Sequence, residues 1–192
     1  VFHTAKVLQA ADAGDGEQAK VLRILTPLVK LRTCRDARKV AGDGMEVRGG
    51  CGYIEEWSDA RVLRDAHLGS IWEGTSNIVA LDVARATRRA GSLEALRTYV
   101  ENLLSVVAEK GGDTSAIADL FARATDLLES VANDRASEAD VRVAASAVYN
   151  ATSAAIMMWE DAQLSGRSGY MGDRKTLANA VIAHKLRSRD PL

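Results

Sequence analysis

From Val141 to Trp159 the chain is apolar or small on nearly every face, with Arg142 its one charged residue. A helix of that composition has no polar face to give to water, so it must sit at the centre of a bundle. No apolar stretch reaches the roughly 18 to 20 residues needed to cross a bilayer, so burial has to come from neighbouring protein. The rest of the 192 residues can supply helical neighbours: alanine and leucine recur throughout, aromatics are 5% and prolines number two. That mixture favours helices and excludes an all-β chain built from β-branched and aromatic strands. The predicted class is all-α.

Apolar residues recur at helical spacing from Val1 to Ala13, ended by the turn Ala13-Gly14-Asp15-Gly16. Glu17 to Ala41 forms a second, longer register with Lys20, Arg23, Lys30, Arg35, Arg38 and Lys39 outside, with or without a kink at Pro27, and able to run on towards Gly49. Gly49-Gly50-Cys51-Gly52 breaks it. Helices are then expected at about 58–66, 75–89, 93–110, 114–132, 137–165 and 173–187, the last stopped near Pro191. Thr75 and Ser76 are candidate N-caps. The chain divides at about residue 91 into two all-helical segments, 1–91 and 92–192.

The formal net charge of −1 gives no chain-wide attraction to nucleic acid or acidic membranes. Cys34 and Cys51, in no C-x-x-C arrangement, read as reduced thiols. The polar start, with His3, Lys6 and Asp12, is no signal peptide, and a cytoplasmic location is expected. His3, His67 and His184 are scattered without metal-ligand spacing, so no metal site is expected.

Chemistry-bearing residues are densest in Glu46-Val-Arg-Gly-Gly-Cys-Gly-Tyr-Ile-Glu-Glu-Trp57, Arg61-Val-Leu-Arg-Asp-Ala66 and Ile71-Trp-Glu-Gly-Thr-Ser-Asn-Ile78. Glycines and hydroxyls before a helix start can hold a phosphate, because that end presents free N–H groups and a partial positive charge. The same residues can equally be two loop-closing turns and an N-cap. Arg64 and Asp65 are read as a buried or half-buried ion pair bracing the turn. Trp72 is read either as packing on a ligand or as core.

These three segments resemble the signature of the flavin-dependent acyl-CoA dehydrogenases: a Gly-Gly-x-Gly-Tyr turn, an Arg-Asp-Ala helix and an Ile-(Tyr or Trp)-Glu-Gly-Thr-Ser turn. Gly50 and Glu73 stand 23 residues apart, the family spacing. The resemblance covers residues 1 to about 90, the C-terminal helical domain of that fold. Glu-Val-x-Gly-Gly and Trp72-Glu73 look most like the AidB-containing branch, whose extra helical region would account for residues 92–192, a second helical bundle.

The resemblance implies α,β-dehydrogenation of an acyl-CoA thioester, with Glu73 as the base for the α-proton and hydride passing to FAD. An α-proton of a thioester is too weak an acid for a water-exposed carboxylate. The thioester carbonyl must be polarised by donors, including the peptide N–H of the base itself, in a dry pocket. Without the resemblance, Glu73 is a turn carboxylate at a helix N-terminus. Gly74 matches a substrate contact, and Thr75, Ser76 and Asn77 match FAD contacts. Gly49 and Gly50 match contacts to the adenosine part of an FAD held mainly by a neighbouring subunit. Glu46 and Cys51 depart from the family's usual glutamine and asparagine; a carboxylate at Glu46 is unfavourable beside a pyrophosphate.

The family also implies an N-terminal helical domain and a middle β-domain, absent from these residues. The chain is then a fragment or a subunit that borrows those parts, and by itself is not expected to hold stoichiometric FAD. Implied partners are the acyl-CoA substrate, a homo-oligomer (dimer or tetramer) and an electron-transfer flavoprotein. The alternative is an AidB-like DNA-binding, alkylation-protection role. Against it, residues 93–192 carry eleven basic and fourteen acidic side chains, although six bases fall between Arg167 and Arg189. Self-association through residues 92–192, without useful DNA affinity, is the expectation.

Overall fold

The structure, a computed structural model, describes residues 1–89 and 91–187. Nine α-helices appear among the described residues, and no strand. They are α1 (Phe2–Asp12), α2 (Gly16–Val47), α3 (Gly50–Tyr53), α4 (Asp59–Gly69) and α5 (Ser76–Arg88). After these come α6 (Ser92–Glu109), α7 (Ser115–Ala132), α8 (Val141–Leu164) and α9 (Asp173–Val181).

Two helices organise the bundle. In α8, no residue from Ala144 to Leu164 is exposed, as its composition requires. It packs against α2, α5, α6, α7 and α9. In α2, the Asp15 carboxylate caps the start by accepting from the N–H groups of Glu17 (3.0 Å) and Gln18 (3.1 Å). The helix then runs through Pro27 and past Gly42 and Gly44 to Val47. Val21, Ile24, Leu28 and Leu31 line its buried face. Each such side chain contributes on the order of 1.5–3 kcal/mol when taken from water.

Gly91 takes a left-handed backbone (φ +80°) ahead of α6, and one apolar core cluster includes Val7, Leu28, Val83, Leu96, Leu128, Val148 and Ile182. Polar ties join the same elements. His3 Nδ1 and the Tyr99 hydroxyl are 2.8 Å apart, and Arg97 on α6 donates to Asp126 and Glu129 on α7, each at 3.0 Å.

Two expected helices have altered ends. The start expected at Ser137 is first a 3-10 turn (Glu138–Asp140) capped by the Ser137 hydroxyl, and the last helix passes at Ile182 into a π turn (Ile182–Leu186). The expected stop near Pro191 lies outside the described residues.

Candidate active site

The site is built on the antiparallel packing of α2 against α4. Arg48 pairs with Asp59 (3.3 Å) at one end, and Cys34 lies against Gly69 at the other. The two signature turns therefore sit at opposite ends of the 11-residue α4, about 16 Å apart along its axis.

At the first end, Gly49 turns the chain with φ +59°, and Gly50 opens α3. Both are exposed, and a Cβ on either would meet nothing within 4 Å. Gly52 is different: a Cβ there would collide with the Met45 carbonyl oxygen and lie 3.0 Å from Arg48 Cβ. Glu46 and Cys51 are exposed beside this turn.

At the other end, α4 hands over to α5 in six residues. The Ser70 N–H donates to the His67 carbonyl, and the N–H groups of Ile71 and Trp72 both donate to the Leu68 carbonyl. Glu73 then adopts φ +53°, one of two described non-glycine residues in the left-handed region, and Gly74 follows at φ +105°. A left-handed conformation costs a residue with a side chain about 1–2 kcal/mol, and such outliers cluster where function over-determines the backbone. Glu73 is exposed, and so are Ile71 (59%), Trp72 (63%) and Ile78 (52%), a set of apolar side chains around a carboxylate. Trp72 is therefore not core.

Thr75 occupies the N-cap position of α5 with extended backbone, but no side chain caps the first turn. Ser76, read as a second candidate cap, instead accepts a hydrogen bond from Arg35 Nη1 at 3.2 Å. Asn77 is exposed in the same turn. Uncapped N–H groups beside a guanidinium favour an anion, so this donor set fits a phosphate-bearing cofactor. Thus Glu73, Gly74, Thr75, Ser76 and Asn77 form one cluster, whereas Gly49 and Gly50 stand apart from it.

The expected Arg64–Asp65 pair is not what forms. Consecutive residues on a helix diverge by about 100°, so Arg64 reaches back to Glu55 (2.6 and 3.1 Å) and Asp65 pairs with Arg61 (3.7 Å). All four side chains are exposed. The Glu55 carboxyl is held below its usual range by the Arg64 hydrogen bond.

Two contributors were hidden in the sequence. Lys30 of α2 donates to the carbonyls of Gly69 (2.5 Å) and Trp72 (2.9 Å), at the entry and exit of the turn before Glu73. Arg32 and Arg35 of α2 share a groove of about 500 Å³ with Arg142 and Lys185. Burial, and then the charges of Arg38, Arg142 and Arg32, hold Arg35 below the ordinary guanidinium range. The expected basic face between Arg167 and Arg189 is partly neutralised, because Arg174 pairs with Glu160 (3.1 Å); Arg189 lies outside the described residues.

Residues 3–88 match the family described as "Acyl-CoA dehydrogenase, C-terminal domain". The chain is 37% identical over 107 residues to acyl-CoA dehydrogenase family member 11 of Caenorhabditis elegans, covering 54% of this chain and 17% of that one. It is 39% identical over 89 residues to AidB of Escherichia coli (strain K12), covering 45% and 16%. Its fold matches that of C. elegans ACDH-11, solved in complex with C11-CoA, with a TM-score of 0.82 at 24% identity, over 98% of this chain and 34% of that one. The likeness in fold thus includes the residues beyond 91. The chain spans about a sixth of the length of these curated relatives.

Proposed function

We propose, for a chain whose residues 3–88 match the acyl-CoA dehydrogenase C-terminal domain, that it supplies the base and part of the cofactor cradle for α,β-dehydrogenation of an acyl-CoA thioester. The observation that carries this reading is Glu73, held at positive φ in a braced turn with exposed apolar neighbours. The likeness to relatives named as acyl-CoA dehydrogenases, at 37% identity, supports the substrate class.

In this reading the Glu73 carboxylate takes the α-proton, and the electron pair left behind forms the α,β double bond as the β-hydrogen departs as hydride. Bound FAD would supply the acceptor for that hydride. The Glu73 N–H donates to the thioester carbonyl, lowering the barrier to proton loss. Gly74, with no side chain, leaves the substrate room beside the base. Thr75, Ser76, Asn77 and the open first turn of α5 hold the anionic cofactor, with Arg35 fixing Ser76. Gly49 and Gly50, at the far end of α4, would contribute backbone groups to the FAD of a neighbouring subunit. Ile71, Trp72 and Ile78 are the rim against which a covering surface excludes water from the carboxylate. Self-association and reoxidation by an electron-transfer flavoprotein belong to the same reading.

The test is anaerobic mixing of the full-length FAD-loaded protein with acyl-CoAs of short, medium and long chain. Bleaching of the flavin absorbance with stoichiometric enoyl-CoA is expected for at least one. No bleaching and no enoyl-CoA with any of them overturns the reading.

A second reading, DNA binding, has the groove of Arg32, Arg35, Arg142 and Lys185 in its favour. Titration with duplex DNA at two salt concentrations separates them. Binding that survives the higher salt supports the second reading; weak binding that vanishes with salt leaves the dehydrogenase.

A further inference from the structure

Lys30 is half-buried beneath the turn that carries Glu73. Its ammonium donates to two carbonyls, Gly69 at 2.5 Å and Trp72 at 2.9 Å. Gly69 is the last residue of α4, so its carbonyl is one of those a helix end leaves without an intrahelical partner. The Trp72 carbonyl belongs to the peptide unit whose nitrogen is that of Glu73. The cation is therefore seated on the oxygen end of the Trp72–Glu73 peptide, and the N–H at the other end is the one that faces the substrate in the reading above.

A charge-assisted hydrogen bond to a peptide oxygen is stronger than a neutral one, and it draws electron density along the amide from nitrogen to oxygen. The N–H becomes a better donor. The same bond ties the turn to α2 at the point where the backbone must enter its left-handed conformation, φ +53° at Glu73. We propose that Lys30 is a positioning residue that, through the Trp72–Glu73 peptide, both fixes the backbone of Glu73 and strengthens its N–H as a donor to the acyl-CoA thioester carbonyl.

The role requires a cation and not merely a donor of similar size. Methionine retains the packing of the lysine stem but puts no charge on the carbonyl. Arginine restores a charged donor with different geometry. No proton is transferred by Lys30, and no bond is made or broken at it. The inference rests on the reading of Glu73 as the base, and its test separates the two.

The probe is the 2-enoyl-CoA product labelled with 13C at the thioester carbonyl, whose vinylic α-carbon gives up no proton to Glu73 and whose unsaturated α,β bond has no hydride to lose. It is bound to the full-length FAD-loaded protein, and the carbonyl band is read by isotope-edited infrared difference spectroscopy. In the unsubstituted protein the band should lie below that of the free ligand. In Lys30→Met most of that downshift should disappear, with flavin reduction by a normal acyl-CoA slowed roughly tenfold to a hundredfold. Lys30→Arg should restore at least half of the downshift.

A Lys30→Met protein that holds flavin and ligand and keeps the full downshift overturns the role of Lys30. If Lys30→Met does not fold, Lys30→Arg decides: a downshift like that of the unsubstituted protein supports the role, and a band at the free-ligand position overturns it. An unsubstituted protein that leaves the band of a bound probe unmoved overturns the reading of this turn as the thioester site, and the role of Lys30 with it.

Discussion

Arg23 on α2 and Asp82 on α5 meet in a two-point pair, Nη2 to Oδ1 at 2.8 Å and Nη1 to Oδ2 at 3.1 Å, joining segments 59 residues apart. The Arg23 hydrogen bond, against some burial and aided by the charges of Arg23, Arg85 and Arg89, holds the Asp82 carboxyl below its ordinary value of 3.8. A depressed carboxyl contributes stability in full above the unfolded-state value and loses it as pH falls through the folded-state value. Asp82→Asn should therefore cost stability at pH 7, on the order of 0.5–1 kcal/mol because the pair is partly solvated. That cost should fade below about pH 4. Urea unfolding of both proteins at pH 7 and pH 3 measures it; an equal difference at both values contradicts the pairing.

Glu73→Gly tests the strain at the candidate base. Glycine reaches positive φ without a steric cost but loses more freedom on folding, so the net gain should be about 0.5–1 kcal/mol. The thermal midpoint should rise as activity disappears. A fall in the midpoint would mean the Glu73 side chain is held by contacts that outweigh the strain.

Gly50 and Gly52 should separate folding from binding. Gly52→Ala drives a Cβ into the Met45 carbonyl, and such overpacking costs on the order of 1–3 kcal/mol. Gly50→Ala meets nothing within 4 Å and should leave stability within about 0.5 kcal/mol, while weakening FAD retention in the full-length protein. Calorimetry beside flavin-to-protein absorbance ratios reads both.

The Thr152 hydroxyl is buried on α8 without a hydrogen-bond partner among the described residues. Thr152→Val keeps the shape and removes the unsatisfied group, and should be neutral or stabilising by up to about 1 kcal/mol. Chemical denaturation provides the check; a clear loss of stability would reveal a partner for the hydroxyl.

How much of this was legible in the sequence depends on which force made each feature. The central place of α8 was readable because Val141–Trp159 is apolar or small on nearly every face, and the run from Ala144 to Trp159 is unexposed. The length of α2 was readable from its periodicity, and the tight connection between α4 and α5 from Gly69 and Gly74. The roles of α2's cations were not: Arg23, Lys30 and Arg35 occupy outward helical positions, like any solvated lysine or arginine, and only the packing of α4 and α5 turns them into partners of Asp82, the Trp72 carbonyl and Ser76. Neighbouring charges in sequence misled at Arg64–Asp65 for the same reason, since helical geometry pairs residues three or four apart. A charge count confined to residues 93–192 missed the cationic groove, because Arg32 and Arg35 come from α2 and only Arg142 and Lys185 from the later segment.

The claim that Glu73 removes the α-proton is tested most directly by stopped-flow flavin reduction in the full-length FAD-loaded protein carrying Glu73→Gln. The amide keeps the shape of the side chain and cannot accept the proton. Flavin content should match that of the unsubstituted protein, and acyl-CoA-dependent bleaching should slow by roughly 1000-fold or more. Bleaching at a near-unchanged rate would place the base on another residue and return Glu73 to the status of a turn carboxylate.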